Sequence, residues 1–337
     1  MLKVGLIGCG GMGTTHGGCY GAMQESVAIT AVADLEEEKA TKVSTRFGGE
    51  IYSSGIELIE NADVDMVDIC VPTYLHTELA VAAMKKGLHV FIEKPVCMNT
   101  DEAKLLLETQ KETGVKVQVG QVVRFWDEYV WLKETVKNGT YGKLLSAIFN
   151  RRSARPKWSW NDWYHKPECS GSMALDMHIH DVDFIRFLME KEPNEVFSRA
   201  VRNTDGVIEQ IFTTYSFDDV VITSEGGWDF AGDYPFEMQF NAKLEEATIV
   251  FDGNSLVVYP KTGGKITPEL SRDYARENDI FELNITSLGA YYTELKHFCD
   301  CISNDVTDTI APLSEAVKSL ELALKEINIA GGVVKND

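Results

Sequence analysis

The first third of the chain alternates short apolar runs with segments whose apolar residues recur at helical spacing. The apolar runs are Leu2–Ile7, Ala28–Ala33, Val64–Val71, Leu88–Ile92 and Val115–Val119. Such runs, bounded by turn residues, are typical of buried strands, and the segments between them of helices. Strands that alternate with helices pair in parallel through helical crossovers. The pattern therefore predicts an α/β fold, a doubly wound parallel sheet, over residues 1–121.

The pattern changes after residue 121. Helical spacing is found at Trp126–Asn138 and within Gly171–Leu188, and strand-like runs separated by turn signals follow from Glu195 to Tyr259. Runs of this kind predict an antiparallel sheet. Residues 122–337 are therefore predicted to form a second domain, α+β, with a largely antiparallel open sheet. Within it, residues 261–282 follow neither pattern and are interpreted as a loop that is mobile or contacts another copy.

Composition narrows the classes of function. The chain has 337 residues, more than one core usually supports, and a net charge of −20. Nucleic acids and anionic membranes reward clustered Lys and Arg, so neither is expected as a partner. No apolar run approaches the roughly 20 residues of a membrane span. The seven cysteines are scattered without a C-x-x-C pair, so we expect reduced thiols, no metal site and, without a signal-peptide pattern, a cytoplasmic protein.

A glycine-rich turn follows the first strand. Gly8-Cys9-Gly10-Gly11-Met12-Gly13 matches G-x-G-x-x-G, with a strand before it and a helical pattern after it. Gly8 permits the tight turn, Gly10 lets the backbone approach a pyrophosphate, and Gly13 lets helix and strand pack closely. We therefore predict a dinucleotide site at this turn, with Met12 among its residues.

Asp34 ends the second predicted strand, about 20 positions beyond the glycines. A carboxylate there is expected to bind the adenosine ribose hydroxyls and to repel a 2′-phosphate. Leu35 follows, and no adjacent Arg or Ser would accept that phosphate. NAD is therefore favoured over NADP, although a helix N-cap is a compatible role for Asp34.

Glu93-Lys94-Pro95 ends the Leu88–Ile92 run. Proline cannot extend a central ladder, so Glu93 and Lys94 are predicted at the carboxyl end of a strand, the edge where open α/β sheets bind ligands. An ordinary charged pair at a strand end is the plainer interpretation.

Four more residues near strand ends are candidates. Thr73 and His76 follow the Val64–Val71 run, and His76 either contacts the nicotinamide end or caps the helix that begins there. Gln121 is expected to face the nicotinamide carboxamide. Arg124, just past the domain junction, is expected to reach substrate or cofactor.

The second half holds a polar stripe and an aromatic loop. Asp176, His180 and Asp183 recur at i, i+4 and i+7, so they share a helix face. A surface pair is the alternative interpretation of the first two, and a structural role suits Asp183. Trp163 lies in a loop with Trp158, Trp160 and Tyr164, interpreted as a pocket wall because a flat ring face fits the C–H face of a sugar.

Four motifs occur in one order: Gly8-x-Gly10-x-x-Gly13, Pro72-Thr73-x-x-His76, Glu93-Lys94-Pro95, and Gly171-x4-Asp176-x3-His180-x2-Asp183. In this order the chain resembles the Gfo/Idh/MocA oxidoreductases, which include inositol dehydrogenases and glucose–fructose oxidoreductases. The resemblance covers the whole chain. His178 departs from it, since many members carry a small residue there.

The resemblance implies hydride transfer between a sugar or polyol carbon and the nicotinamide. It implies Lys94 as the catalytic lysine, with Asp176 and His180 completing the site. The chemistry agrees, because an imidazole with a pKa near ~6.5 suits proton exchange and an ammonium group stabilises a developing alkoxide. Alternatives are an NAD-dependent glycosidase that oxidises its substrate transiently, or a non-catalytic NAD-bound sensor. An open antiparallel sheet also favours a homodimer or homotetramer.

Overall fold

The computed structural model describes residues 1–157, 159–270, 289–307 and 309–331. Trp158 and residues 271–282 of the predicted loop lie outside this part of the chain. The chain divides into two compact units. The N-terminal unit contains residues 1–125 and 272–317, and the C-terminal unit contains residues 126–271 and 318–337. The limits 1–121 and 122–337 remain a prediction for the folding domains.

The elements as far as residue 113 alternate strictly between strand and helix. In chain order they are β1 (Leu2–Ile7), α1 (Gly11–Gly21), β2 (Val27–Ala33), α2 (Glu37–Phe47), β3 (Glu50–Tyr52), α3 (Gly55–Asn61), β4 (Met66–Ile69), α4 (His76–Lys85), β5 (His89–Ile92) and α5 (Thr100–Thr113).

The remaining elements are mostly strands between helices. They are β6 (Val117–Val119), α6 (Asp127–Lys137), β7 (Leu144–Ala154), α7 (Pro167–Ser170), α8 (Ser172–Asp176), α9 (Ile179–Met189), β8 (Glu195–Arg202), β9 (Ile208–Phe217), β10 (Val220–Phe230), β11 (Glu237–Leu244), β12 (Ala247–Phe251), β13 (Leu256–Pro260), α10 (Gly289–Ser303) and α11 (Leu313–Ile329). Short 3-10 turns cover Thr73–Leu75, Val122–Phe125 and Trp160–His165.

The N-terminal unit is built on a six-stranded sheet in the order β3-β2-β1-β4-β5-β6, and every pair in it is parallel. The strands are apolar and buried because helices cover both faces of such a sheet. Helix α10 belongs to this unit, and its Leu295 and Phe298 join the core with Leu6 and Phe91. The predicted doubly wound parallel sheet is confirmed.

The C-terminal unit is built on a seven-stranded sheet in the order β13-β12-β11-β7-β10-β9-β8. All its pairs are antiparallel except β7 with β10, so the predicted, largely antiparallel sheet is confirmed. Helices α8 and α9 pack on one face. The core there is aromatic, with the Tyr129 ring 4.7 Å from Phe184 and 5.0 Å from Phe240 between ring centroids.

No described helix combines the length and the apolar character that crossing a lipid bilayer requires.

Candidate active site

The glycine-rich segment forms the turn between β1 and α1. Gly8 has a φ of +95°, which residues with side chains rarely adopt. A methyl group on Gly13 would stand 1.8 Å from the carbonyl oxygen of Gly8, so only glycine lets α1 pack this close to the turn. A methyl group on Gly10 would meet nothing within 4 Å. The turn therefore leaves open space before the free N–H groups of an 11-residue helix, and such a cradle fits a diphosphate.

Asp34 follows β2 at the same end of the sheet. Its Oδ2 accepts a hydrogen bond from the backbone N–H of Cys9 at 2.8 Å, and its Oδ1 accepts one from that of Glu36 at 2.8 Å. One carboxylate thus braces the glycine turn and the start of the next helix. The N-cap position of α2 is Glu36, so Asp34 is not the helix cap, and its carboxylate holds the turn before the helix instead.

The predicted cofactor residues of the N-terminal unit follow the carboxyl ends of parallel strands, so they share one edge of the sheet. Thr73 follows β4, Glu93 and Lys94 follow β5, and Gln121 follows β6. The N–H of Gly120 donates to the carbonyl of Ile92 at 2.8 Å, which keeps the last two ends side by side.

Gln121 adds a buried polar atom at this edge. Its side chain is 2% exposed, and its Oε1 has no hydrogen-bond donor among the described residues. A buried amide oxygen normally finds a donor. The N–H₂ group of a nicotinamide carboxamide would supply one, so this position fits the group that the sequence assigned to it.

Glu93 is buried and holds the backbone before Lys94. Its Oε2 accepts a hydrogen bond from the Lys94 N–H at 3.0 Å. A methyl group on Gly120 would stand 2.9 Å from Glu93 Oε1, so the glycine makes room for the carboxylate. Lys94 itself is partly exposed. The pair thus presents a cation at the rim and a fixed anion beneath it.

His76 and Arg124 are more deeply enclosed than the sequence indicated. The ring nitrogens of His76 each lie 2.9 Å from a backbone carbonyl, that of Pro95 for Nδ1 and that of Val71 for Nε2. Burial, the largest influence, lowers the pKa of His76. Arg124 is 4% exposed and donates from Nη1 to the carbonyl of Ile310 at 2.7 Å. Both side chains tie segments of the N-terminal unit together, and their contacts with cofactor or substrate stay predictions.

A buried polar cluster beneath the edge was missed by the sequence reasoning. Asp68, in the middle of β4, accepts hydrogen bonds at Oδ2 from His16 Nδ1 at 2.8 Å and from the Tyr20 hydroxyl at 2.9 Å. The Cys70 thiol donates to its Oδ1 at 3.3 Å. The other ring nitrogen of His16 lies 3.3 Å from Glu93 Oε1. The signals available were an acidic residue within an apolar strand and a histidine three positions after Gly13.

Burial and neighbouring charges shift the pKa values of Cys70 and His16 in this cluster. Burial raises the pKa of Cys70 well above its usual value, so it remains a thiol. For His16, burial lowers the pKa but Asp68 and Cys70 together raise it by more, and the net shift is upward. The His16 ring thus lies between the carboxylates of Asp68 and Glu93, which favour its charged form. The His16, Asp68 and Cys70 atoms lie within 4.8 Å of one another, and their mutual hydrogen bonds account for the grouping.

Asp176 and His180 lie in the C-terminal unit on either side of a helix junction. Asp176 is the last residue of α8, and His180 is the second residue of α9. Both are partly exposed, whereas Leu175, Met177 and Ile179 are buried. Each of the two side chains is thus only partly covered, and their sharing of one face, which the i, i+4 spacing predicts, stays a prediction. Asp183 is buried and accepts a hydrogen bond from Ser319 at 2.8 Å, which is a structural role.

Trp163 belongs to the C-terminal unit as well. Its ring stacks on Tyr164 with 4.2 Å between centroids, and Tyr164 in turn meets the buried Trp228 edge-on at 6.2 Å. The Trp163 side chain is partly exposed. The loop thus presents a supported, flat ring.

Comparison with known proteins places these features in a family. The model described as "Oxidoreductase family, NAD-binding Rossmann fold" matches residues 2–121, and the GFO/IDH/MocA C-terminal domain matches residues 129–250. The solved structure of a levoglucosan dehydrogenase in complex with NADH and levoglucosan has the same fold, with a TM-score of 0.85 and 22% identity over 98% of this chain and 97% of that one.

Two curated relatives are inositol dehydrogenases. A myo-inositol 2-dehydrogenase from Thermotoga maritima is 34% identical over 199 residues, which are 58% of this chain and 58% of that protein. The chain thus matches little more than half the length of that relative. A scyllo-inositol 2-dehydrogenase (NAD(+)) from Bacillus subtilis is 25% identical over 335 residues, 97% of this chain and 93% of that protein. With both domain models matched in order, the chain belongs to the GFO/IDH/MocA oxidoreductase family.

Proposed function

We propose that this protein is an NAD-dependent dehydrogenase that transfers a hydride between a CH–OH group of a sugar, inositol or related polyol and the nicotinamide. The observation that carries the proposal is the single sheet edge that holds the glycine turn, Asp34, Lys94 and Gln121. The family supports the reaction class. Relatives named as inositol dehydrogenases support the substrate class.

The residues proposed to hold the cofactor come from five strand ends of the N-terminal unit. They are Gly8, Gly10, Met12, Gly13, Asp34, Thr73, His76, Glu93, Lys94 and Gln121. When bound, the nicotinamide supplies the carbon that accepts or returns the hydride. The chain's own part is to hold the diphosphate at the start of α1 and the carboxamide beside Gln121.

We propose NAD rather than NADP as the cofactor. Asp34 brings a carboxylate to the position where the adenosine ribose is expected, and its oxygens are fixed by the N–H groups of Cys9 and Glu36. A fixed carboxylate accepts from ribose hydroxyls and repels a 2′-phosphate. The neighbouring Leu35 is 69% exposed and offers no cation to that phosphate.

Proton transfer is assigned to Lys94, Asp176 and His180. In the direction of oxidation, His180 accepts the proton of the substrate hydroxyl, and Lys94 holds the oxygen as its negative charge develops. Asp176, one turn before His180, orients a second hydroxyl and the imidazole. The order of events reverses for reduction, with His180 returning the proton.

Substrate contacts are proposed for Arg124 and Trp163 in addition to the catalytic three. The stacked, partly exposed ring of Trp163 offers an apolar face to sugar C–H groups. Arg124 is proposed from its place just after the Gln121 strand end, in the 3-10 turn Val122–Phe125.

The assay follows NADH formation with NAD⁺ or NADP⁺ against a panel of inositols, hexoses and sugar acids. We expect turnover of a polyol with NAD⁺ and one NADH per substrate oxidised. Lys94→Ala should lower kcat by roughly a thousandfold, the size expected for loss of a group that stabilises a developing oxyanion. Lys85→Ala, at an exposed position in α4, is the matched control and should retain activity.

The two alternative functions predict different outcomes. A glycosidase that oxidises its substrate transiently would release sugar with no net NADH. A sensor would bind NAD without turning over any compound of the panel. Full activity of Lys94→Ala on a verified substrate would remove the proposed mechanism.

We further propose that the protein is a homodimer or homotetramer through the open face of the C-terminal sheet. Ile148, Phe197, Phe212 and Val221 lie on this face and are 43–56% exposed. Ile148, Phe212 and Val221 alternate with the buried residues of β7, β9 and β10, and Phe197 lies on the neighbouring β8, next to the buried Ser198. Exposed apolar patches of this kind mark interaction surfaces. Phe197→Glu should shift the sedimentation coefficient to that of a monomer, and an unchanged coefficient would contradict this interface.

A cytoplasmic location is proposed from the thiols. All seven cysteines lie among the described residues, and none of them forms a disulfide there. Burial raises the pKa of Cys9, Cys19 and Cys299 to about 12, so these three are unreactive thiols. Reduced cysteines in this number suit a reducing compartment.

With a net charge of −20, neither nucleic acid nor an anionic membrane is proposed as a partner.

A further inference from the structure

His178 stands between the two proposed catalytic side chains of the C-terminal unit. It is the residue before α9, and Met177 and His178 form the link from α8 to α9. His178 is 0% exposed, whereas Asp176 and His180, two positions to either side, are partly exposed. Residues two apart in helical backbone face nearly opposite directions. The histidine thus points inward from the junction whose outer side carries Asp176 and His180.

The inner end of His178 meets a buried carboxylate. Its Nε2 lies 2.7 Å from Oε2 of Glu326, which belongs to α11 and is also 0% exposed. Glu326 Oε2 accepts a second hydrogen bond from the hydroxyl of Thr213 at 2.9 Å. Its Oε1 accepts a third from the hydroxyl of Tyr215 at 2.8 Å. The junction is therefore tied to the last helix and, through it, to β9.

The imidazole is held in one orientation. A methyl group on Gly226 of β10 would stand 3.0 Å from both Cβ and Nδ1 of His178, so the ring lies against bare backbone. Nδ1 has no hydrogen-bond partner among the described residues. The ring therefore donates from Nε2 to Glu326. Removing one of these three donors should destabilise the folded protein, because the buried carboxylate charge is then left with too few hydrogen bonds.

We propose that His178 and Glu326 are positioning residues, which hold the α8–α9 junction so that Asp176 and His180 keep the spacing and orientation that proton transfer needs. The inference rests on the proposed function for the roles of Asp176 and His180. Neither His178 nor Glu326 touches substrate or cofactor in this proposal. They act through the backbone of residues 176–180, and displacements of about 1 Å at a reacting group cost up to a hundredfold in rate.

The first test uses NMR to detect a change in the surroundings of the His180 ring, and it needs no substrate. The NMR signal of the His180 ring, assigned by its loss in His180→Asn, is compared between wild type, Glu326→Gln and His178→Leu. We expect the signal to move or broaden in both variants. In His178→Gln, which keeps a donor near the place of Nε2, it should return towards the wild-type position. Ile249→Val, which trims a buried side chain of β12, controls for a general loss of stability and should leave the signal in place.

The second test reads catalysis in the same variants. Loss of positioning should lower kcat roughly 10- to 100-fold in Glu326→Gln and His178→Leu, and KM for NAD⁺ should stay unchanged because the cofactor residues lie in the other unit. Tyr215→Phe removes one donor with its ring intact, and it replaces either variant that does not fold.

The possible results distinguish a failure of the positioning role from a failure of the proposed function. A His180 signal that is unchanged in Glu326→Gln and His178→Leu overturns the positioning role whatever the activity. A displaced signal together with undiminished kcat also overturns it. If the signal is displaced in the variants but the wild-type protein oxidises no polyol, the positioning role stands and the proposed function is removed instead.

Discussion

Nε2 of His16 lies 3.3 Å from Oε1 of Glu93, and Nδ1 of the same ring lies 2.8 Å from Oδ2 of Asp68. His16 belongs to α1, the helix that follows the glycine turn. Its ring therefore connects Glu93, the residue before Lys94, to Asp68 in β4. All three groups are buried. An imidazole between two carboxylates is stabilised in its charged form, so the charge of His16 contributes to the fold.

His16→Gln should therefore remove a part of the stability that depends on pH. The folded protein keeps the His16 proton that the unfolded chain releases above roughly pH 6.5, because the pKa of His16 is raised on folding. This stabilisation is complete below that pH and is lost as the pH rises through the raised pKa. Urea titrations measure the free energy of unfolding that the variant loses. This loss should be largest in mild acid and should shrink, as the pH rises, by at most about 1.4 kcal/mol per pH unit.

His297→Gln provides a control of opposite sign. Burial, the largest influence, lowers the pKa of His297, so there the unfolded chain binds the proton first. The stability that His297 contributes should therefore fall as the pH falls through roughly 6.5. A loss in His16→Gln that grew with rising pH would contradict the charged cluster.

The glycine turn predicts two different effects for two alanines. Gly13→Ala would press a methyl group against the carbonyl of Gly8, so we expect a loss of about 3 kcal/mol or more in the free energy of unfolding. Gly10→Ala has open space and an extended backbone that alanine tolerates. It should keep wild-type stability and weaken NAD⁺ binding at least about tenfold, because its methyl group stands where the diphosphate is expected.

Thermal unfolding and NAD⁺ titration measure both variants. Equal stability of the two alanines would contradict the close packing of α1 on the turn. Unchanged NAD⁺ affinity in Gly10→Ala would place the diphosphate elsewhere.

Asp34 should decide between the two nicotinamide dinucleotides. Asp34→Asn keeps the size of the side chain and removes its charge, so ribose binding weakens and repulsion of a 2′-phosphate is lost. We expect the ratio of kcat/KM for NAD⁺ over NADP⁺ to fall at least about tenfold. Glu38→Gln, at an exposed position in α2, is the charge-matched control. A ratio that changes equally in both variants would point to net charge rather than to Asp34.

The buried ion pair of the C-terminal unit should be costly to break. Arg151 donates from Nε and Nη2 to the two carboxylate oxygens of Asp181 at 3.1 and 2.9 Å, and both side chains are almost fully buried. Asp181→Ala leaves the guanidinium charge without this partner, so we expect a loss of about 3–5 kcal/mol in the free energy of unfolding.

The surface pair of Lys42 and Glu38, one turn apart in α2, provides the comparison. Glu38→Ala should cost no more than about 0.5 kcal/mol because solvent screens the pair. Denaturant unfolding of both variants checks the contrast, and losses of similar size would argue against a buried charge pair.

The polar clusters could not be predicted from the sequence to the same extent as the strands. His16 and Asp68 are 52 positions apart, and His178 and Glu326 are 148 apart. Periodicity reports which face of an element is buried, but it does not report which buried polar group another element brings to it. The same limit applies to β7 and β10. Hairpin signals identify sequence neighbours, whereas these two strands pair in parallel and are separated by helices and by β8 and β9.

What the sequence by itself determined is local. Alternating apolar runs and helical stripes specified the parallel sheet, and the glycines specified the turn at which a dinucleotide would bind, because both depend on backbone geometry within a few residues. Only the tertiary structure decided that His16 joins Asp68 to Glu93, that His76 and Arg124 are enclosed, and that Glu326 holds His178. These contacts follow from strand order and helix packing, which bury together polar groups that are far apart in the sequence. A pattern within a few residues cannot predict which of these groups will be in contact.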